Sequence, residues 1–526
     1  MRVPLLIDDF LRRPAQVYPE KTAIVDGSLR LSYRRFAERA NQLANALRKL
    51  GLKKGDRVCM LSPNSHYFLE SFFGVSQLGA ILVPLNFRLS AEEHAYILTH
   101  AGVKAVLVDH EYTPVIDAIR GSLRTVKHWI SAGGGDVPRA AWTDWDGLIA
   151  RASVAPPPPV KRDEDDVVSL NYTSGTTARP KGVMLTHRNF YVNAYNLIAH
   201  LRLSHDDVEL WTLPMFHCNG WGAVYALTGL GGTHVVLRSI DVKQIFTLIE
   251  QEGVTFACMA PAVLRAILDY PEKASHTMRT RPRFTLAGAP PPAAFIERLE
   301  KELGWDFLEI YGLTETAPLL TSSQPDFATR RDDYARRARA GVPGIGVDIV
   351  VLDAKGRLVR RDGSSIGEVC ARSNVVFKGY WKQPQETRKA IRKGYFRTGD
   401  LAVWDEVYNI HIVDRQKDVI ISGGENISSP EIEDALYKHP GVLECAVIGV
   451  PHDKWGETPK AIVVVRPGKS PTQKELIAFC RERLAHFKCP TSVEFASALP
   501  RTATGKLQKY RLRAKYWRGR DRKVAG

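Results

Sequence analysis

Tyr172-Thr-Ser-Gly-Thr-Thr-Ala-Arg-Pro-Lys-Gly182 is the stretch on which the reading of this chain turns. Four hydroxyl residues, Thr173, Ser174, Thr176 and Thr177, surround Gly175, and Lys181 follows. Glycine lets backbone approach phosphate oxygens, hydroxyls and amides donate to them, and lysine supplies charge, so the stretch suits a polyphosphate. A Walker A loop has Gly before its Lys and Ser or Thr after it. Pro180 and Gly182 hold those places here, which excludes an ordinary P-loop ATPase. Residues 167–172 ahead of the stretch read as a buried strand, and a helix is expected directly behind it.

Working outward, apolar runs of strand length alternate with helical periodicity, the βα pattern of a parallel sheet covered on both faces. On the N-terminal side, residues 57–61, 81–85 and 105–109 read as strands, and 64–78 and 90–100 as helices. Pro156 to Pro159, followed by charges over 161–166, mark a surface loop or subdomain boundary. On the C-terminal side, strands are expected at 234–237, 254–258, 284–286 and 307–311. Asp241 suits the cap of a helix with Val242, Ile245, Phe246 and Ile249 on one face, Gly253 its end, and Pro261 the first turn of the next. Short strands and Gly turns fill 345–413. Beyond 414 a compact piece combines helices at 430–438 and 472–486 with strands at 445–450 and 461–465. The fold class is α/β: a large N-terminal domain over 1–413, made of βα subdomains plus a short-strand β region, and a small α+β C-terminal domain over 414–526.

The 526 residues, 44% hydrophobic and 25% charged, describe an ordinary globular chain of more than one domain. No apolar run is long enough for a bilayer. Residues 1–11 contain Asp8 and Asp9 and no signal-peptide cleavage pattern, and the last residues carry no peroxisomal signal. Seven scattered cysteines without a Cys-x-x-Cys pair argue against a disulfide framework or zinc site and for a reducing cytoplasm. Lys and Arg total 73 against 57 Asp and Glu, a net +16 concentrated partly in a basic tail from Lys506 to Lys523. No nucleic-acid module accompanies it, and the tail is expected to be solvated and frayed.

Further motifs follow in order: Pro214-Met-Phe-His-Cys-Asn-Gly-Trp221, Ala287-Gly-Ala-Pro290, Tyr311-Gly-Leu-Thr-Glu-Thr316, Thr398-Gly-Asp400, Asp414-Arg-Gln-Lys-Asp418 and Pro500-Arg-Thr-Ala-Thr-Gly-Lys506. With the first stretch, these seven in register resemble the adenylate-forming superfamily, in its AMP-binding acyl-CoA synthetase branch, almost end to end. One departure is Ala178, where many members have Gly.

The resemblance implies ATP, Mg²⁺ and coenzyme A as co-substrates and cofactor, and a small carboxylic acid as substrate. No nucleic acid or transmembrane segment is expected, and a homodimer is left open. Thr173, Ser174, Gly175, Thr176, Thr177 and Lys181 would hold phosphates. Gly288, Ala289 and Pro290 would lie along adenine, with Tyr311 on its face and Gly312 beside it. Thr314 would donate to the α-phosphate. Glu315 is a hard oxygen ligand for Mg²⁺, with Thr176 a second ligand. Asp400 would accept from the ribose hydroxyls, with Arg415 beside them. Lys506 would be the main catalytic residue: an ionised carboxylate attacking the α-phosphate needs alignment and charge relief, not a general base. Asp414 matches the hinge about which the C-terminal domain swings, and Gly423 and Gly424 would line the pantetheine tunnel.

His217, Asn219, Gly220 and Trp221 lie in the motif expected at the acyl pocket, Trp221 as a gate and His217 as pocket wall or as base for the thiol. The wording of that motif resembles fatty acyl-CoA synthetases of short to long chain, with medium chain favoured. An aryl-acid CoA ligase, an acyl-AMP ligase delivering to an acyl carrier protein, and a catalytically dead ligand-binding protein are the alternatives.

Overall fold

The computed structural model describes all residues except 135–140, 174–179, 287–292, 327–328, 416–417, 423–424, 502–506 and 519–526, together with the backbone alone of 261–262 and 425–426. Two large sheets organise the N-terminal part. The first runs Asp306–Phe307, Arg283–Leu286, Phe256–Met259, Val208–Trp211, Thr233–Val236, Thr22–Asp26, Leu29–Ser32, and is parallel except for its last pair. The second runs Gly379–Tyr380, Lys181–Thr186, Val167–Thr173, Ile81–Leu85, Arg57–Leu61, Val103–Asp109, His128–Ala132, Thr143–Asp144. Its pairs are parallel except the first two.

Apolar side chains fill three layers. One core lies between the sheets and joins residues of both, such as Met60, Leu82, Trp211 and Phe256. The other two lie on the sheets' outer faces, against Val242–Glu252 and Pro261–Leu268 for the first and Ala91–Ala101 for the second. Burial on both faces explains why the strand sequences are continuous apolar runs. The helix His66–Gln77 belongs to the central layer and is buried on nearly every side, so its apolar residues follow no single stripe. Ser65 caps it, its hydroxyl accepting from the Phe68 amide at 3.2 Å. Phe68, Phe72 and Phe73 are sealed from water, at about 2–3 kcal/mol each.

A three-stranded sheet, Glu309–Gly312, Leu319–Ser323, Val342–Pro343, bridges to a five-stranded one of Val347–Leu352, Gly367–Ser373, Tyr395–Trp404, Ile391–Arg392 and Ile410–Arg415. The last part of the chain folds on its own core, a five-stranded sheet with the helices Ser429–Tyr437 and Gln473–Arg481 against it. No helix among the described residues is long and apolar enough to cross a membrane.

Four expectations change. The phosphate-type stretch is followed by the strand Lys181–Thr186, antiparallel to Val167–Thr173, and only then by the helix His187–His200. Its Gly-Val-Met-Leu-Thr run is buried except at Met184, with β-branched Val183 and Thr186, and Thr186, not the stretch itself, caps the helix with a capping box. The strand expected over 307–311 is two strands in two sheets, because the chain leaves the parallel sheet at Leu308. The helix expected over 472–486 stops at Arg481. The described part of the basic tail is docked rather than frayed. Half-buried Lys509 pairs with Glu433 at 2.8 Å, and buried Arg513 with Asp418 at 2.5 Å.

Candidate active site

Strand ends of the second large sheet and of the three-stranded sheet meet the paired strands Tyr395–Trp404 and Ile410–Arg415 in one place. Tyr311, at the end of Glu309–Gly312, donates its hydroxyl to Asp400 Oδ2 at 2.8 Å. Asp400 is paired across the ladder with Arg415, whose Nε lies 3.5 Å from Oδ1. Asp400 is nearly sealed, so its charge is held by this hydroxyl and guanidinium rather than by water. Gly312 permits the turn that follows: a Cβ there would lie 1.6 Å from the Pro318 carbonyl oxygen, so no other residue fits.

The chain then makes the short turn Thr314–Thr316, with Thr314 buried. Burial pushes the Glu315 carboxyl above its ordinary range, while the Tyr380 hydroxyl, donating to Oε1 at 3.0 Å, pulls it back toward the charged form. The ring of Tyr380 carries the Lys181 ammonium 5.0 Å from its centroid, and Lys181 itself pairs with Glu386 at 2.5 Å. Glu315, Tyr380, Lys181 and Glu386 therefore form one contiguous cluster. Asp400 and Arg415 lie near enough to act on the Glu315 charge.

The 214–221 motif packs beneath. Cys218, Asn219, Gly220, Trp221 and Gly222 all have left-handed backbone, φ 48, 52, 57, 60 and 76°. Such a run is costly for L-residues and persists only where its surroundings fix it. Asn219 supplies the fixing. Its Oδ1 accepts from Ser169 Oγ and Asn171 Nδ2, each at 3.1 Å, and its Nδ2 donates to Tyr225 Oη at 3.1 Å. Gly220 is required, since a Cβ would meet the Trp211 ring at 2.4 Å. Asn193 ties the run to the neighbouring strand, donating to the Trp221 carbonyl at 3.1 Å and accepting from the Leu319 amide at 3.1 Å. Burial lowers the His217 pKa to about 4, so its imidazole is neutral near pH 7.

Of the residues singled out by sequence, Thr173, Lys181, Tyr311, Gly312, Thr314, Glu315, Asp400 and Arg415 lie along these strand ends. Asn219 faces the buried polar network rather than lining a pocket as expected, and Trp221 belongs to the central core, 8% exposed. Asp414 is buried, accepting from the Ser429 amide at 3.0 Å and the Ser429 hydroxyl at 2.5 Å. Ser174, Gly175, Thr176, Thr177, Gly288, Ala289, Pro290, Gly423, Gly424 and Lys506 lie outside the described residues. Sequence reasoning missed Tyr380, Glu386, Asn193, Ser169 and Asn171. The first two sit on the short edge strand Gly379–Tyr380 and the adjoining helix Pro384–Ala390, with no motif of their own.

Residues 11–381 match the AMP-binding enzyme family, and residues 431–506 match the AMP-binding enzyme C-terminal domain. The chain is similar to 4-hydroxybutyrate–CoA ligase 2 of Metallosphaera sedula, 39% identical over 97% of this chain and 94% of that protein. It is also similar to the long-chain-fatty-acid–CoA ligase of Thermus thermophilus, 38% identical over 97% of this chain and 95% of that one. Among solved structures it resembles the anthranilate CoA ligase AuaEII in complex with anthranoyl-AMP, at a TM-score of 0.90 and 27% identity, covering 98% of each chain. The chain therefore belongs to the AMP-binding enzyme family and, within this adenylate-forming superfamily, to the ATP-dependent, AMP-forming acyl-CoA synthetases.

Proposed function

We propose that the protein activates a fatty acid of short to long chain, medium chain favoured, as an acyl-adenylate and transfers the acyl group to coenzyme A. The observation that carries this reading is the convergence of Tyr311, Asp400 and Arg415 with Glu315, Tyr380 and Lys181 at one set of strand ends. Asp400 and Arg415 suit the ribose hydroxyls, Tyr311 the adenine face, Thr314 the α-phosphate and Lys181 the phosphate tail. The apolar residues of the 214–221 motif, Met215, Phe216 and Trp221, are the basis for reading the acid as aliphatic.

A carboxylate oxygen of the acid attacks the α-phosphorus, and the bond to the bridging oxygen breaks as pyrophosphate leaves. The coenzyme A sulfur then attacks the acyl carbonyl and AMP departs with the electron pair of the mixed-anhydride bond. Lys506 aligns the carboxylate and relieves charge in the first step. His217, neutral at pH 7, is able to accept the thiol proton in the second. A single half-buried carboxylate fits Mg²⁺, which keeps several waters and takes its other oxygens from phosphates. Glu315 would hold the ion, with Thr176 as second ligand, and bound there it would neutralise phosphate charge. The boundary at 413/414 and a hinge at Asp414 let the C-terminal domain present Lys506 first and the tunnel beside Gly423 and Gly424 afterwards. Seven buried, free cysteines suit the cytoplasm.

Pyrophosphate release over acids from acetate to palmitate, benzoate and cinnamate, with and without coenzyme A, tests this reading. Sustained release that needs coenzyme A and peaks with an aliphatic acid supports it. A burst indifferent to coenzyme A supports a carrier-dependent ligase, and an aromatic optimum overturns the aliphatic assignment. Lys506→Ala slows adenylation by about 10²–10³-fold; an unchanged rate removes Lys506 from the mechanism.

A further inference from the structure

Lys181, Tyr380, Glu386, Lys389, Arg392 and Arg397 line a cavity of about 470 Å³ whose lining also includes Thr398 and Gly399, the two residues before Asp400. Its charges do not cancel. Four cations face two carboxylates, Glu368 and Glu386. Glu368 is committed to Arg397 and to the Gly399 amide. Glu386 is shared, Oε2 to Lys181 at 2.5 Å and Oε1 to Lys389 at 2.7 Å, so that one carboxylate bridges two ammonium groups. Arg392 donates to the Lys389 carbonyl at 3.2 Å. Both ammonium groups thus hold an anion's oxygens in a cavity with cationic charge to spare. Glu386 is held well on its charged side by Lys181 and then Lys389, with a pKa near 2.

The direction of the cavity follows from the site already described. A nucleotide whose ribose meets Asp400 and whose α-phosphate meets Thr314 and Glu315 extends its remaining phosphates toward Lys181. Lys181 is itself part of the cavity lining.

Resting on the adenylation reading above, we propose that this cavity is the subsite and exit for the pyrophosphate leaving group, with Glu386 an exchangeable counter-ion for Lys181. In the empty enzyme Glu386 occupies Lys181 and Lys389. The β- and γ-phosphates take both cations from it, and the carboxylate reclaims them as pyrophosphate departs. Lys389 and Arg392 are binding residues for the leaving group, and Glu386 is a positioning residue for Lys181. No covalent step is added: the P–O bond breaks as in the proposed reaction, and Glu386 changes only its partners.

Calorimetric titration of the whole enzyme with sodium pyrophosphate, with and without Mg²⁺, and separately with AMP, tests this. Neither titration requires turnover of any acid. Lys389→Ala/Arg392→Ala weakens pyrophosphate by about tenfold or more and leaves AMP unchanged. Glu386→Gln, which keeps the shape and removes the competing charge, tightens pyrophosphate by about tenfold, strengthens its product inhibition to the same degree, and again leaves AMP unchanged. Pyrophosphate affinities within twofold of wild type in both variants overturn the proposal. So does a parallel loss of AMP, which would assign the cavity to the whole nucleotide. Normal acid turnover with unshifted pyrophosphate binding fails this inference alone. The expected shifts without turnover of any acid fail the adenylation reading instead.

Discussion

Replacing Asn219 tests what holds the left-handed run under the site. Asn219→Ala removes an oxygen that accepts from Ser169 and Asn171 and an amide that donates to Tyr225. Ser169 and Asn171 keep their mutual bond at 2.8 Å, and Asn171 keeps the Phe216 carbonyl at 3.4 Å, so the loss there is partial. The Tyr225 oxygen, deep in the core, loses its donor. Buried groups deprived of partners cost about 1–3 kcal/mol each, giving roughly 2–4 kcal/mol for the network. A further ~1 kcal/mol comes from placing Ala at φ 52°, where Asn and Gly are tolerated. Asn219→Ala is therefore expected to cost about 3–5 kcal/mol. Asn219→Gly, which keeps the network loss and removes the backbone strain, is expected to cost ~1 kcal/mol less. Urea unfolding followed by tryptophan fluorescence measures both, alongside kcat/KM, which falls because Trp221 lies in the run and His217 precedes it. A cost below 1 kcal/mol for Ala refutes the network. A Gly variant as stable as wild type means backbone conformation alone was at stake.

Tyr380→Phe keeps the ring under Lys181 and removes the donor to Glu315, so the carboxyl rises further and the acid limb of kcat/KM moves to higher pH; an unmoved limb separates Glu315 ionisation from turnover. Glu209 and Glu309 are buried, each with a carboxyl oxygen unpartnered among the described residues, and burial raises both pKa values well above the ordinary 4.5. A folded pKa above the unfolded one means that their stabilising contribution is complete below about pH 4.5 and is lost as pH rises toward the folded value. Glu209→Gln and Glu309→Gln therefore lose less stability than wild type between pH 4.5 and 8, and melting curves that stay parallel to wild type contradict this.

The parallel strands were legible because burial on two faces writes itself as short apolar runs between capped helices. Asp241 caps the helix Val242–Glu252 as its sequence suggests. Long-range pairing was not legible. Thr22–Asp26 joins the first sheet beside Thr233–Val236, two hundred residues away, and nothing local announces it. Lys181–Thr186 was hidden by its position between a glycine-rich stretch and a helix, where the parallel-sheet pattern expects no strand. Conserving charge in the tail was misread for a similar reason: Lys509 and Arg513 look like a solvated basic run until Glu433 and Asp418, far back in the chain, are folded against them. Residues with motifs around them could be named in advance. Tyr380, Glu386 and Asn219's partners act through contacts that only the fold creates.

The docked tail also ties two distant points of the chain together. Lys509 Nζ donates to Ser429 Oγ at 2.5 Å, and Ser429 Oγ donates onward to Asp414 Oδ2 at 2.5 Å. A lysine three positions after Lys506 is thus wired through one serine to the residue proposed as the hinge. For anyone transplanting the last hundred residues onto another acyl-activating scaffold, this wire sets where to cut. A junction ahead of Asp414 moves all three residues as one piece. A junction between 415 and 428 leaves the graft with a half-buried ammonium whose far counter-charge stayed behind, unless the host supplies its own aspartate in register.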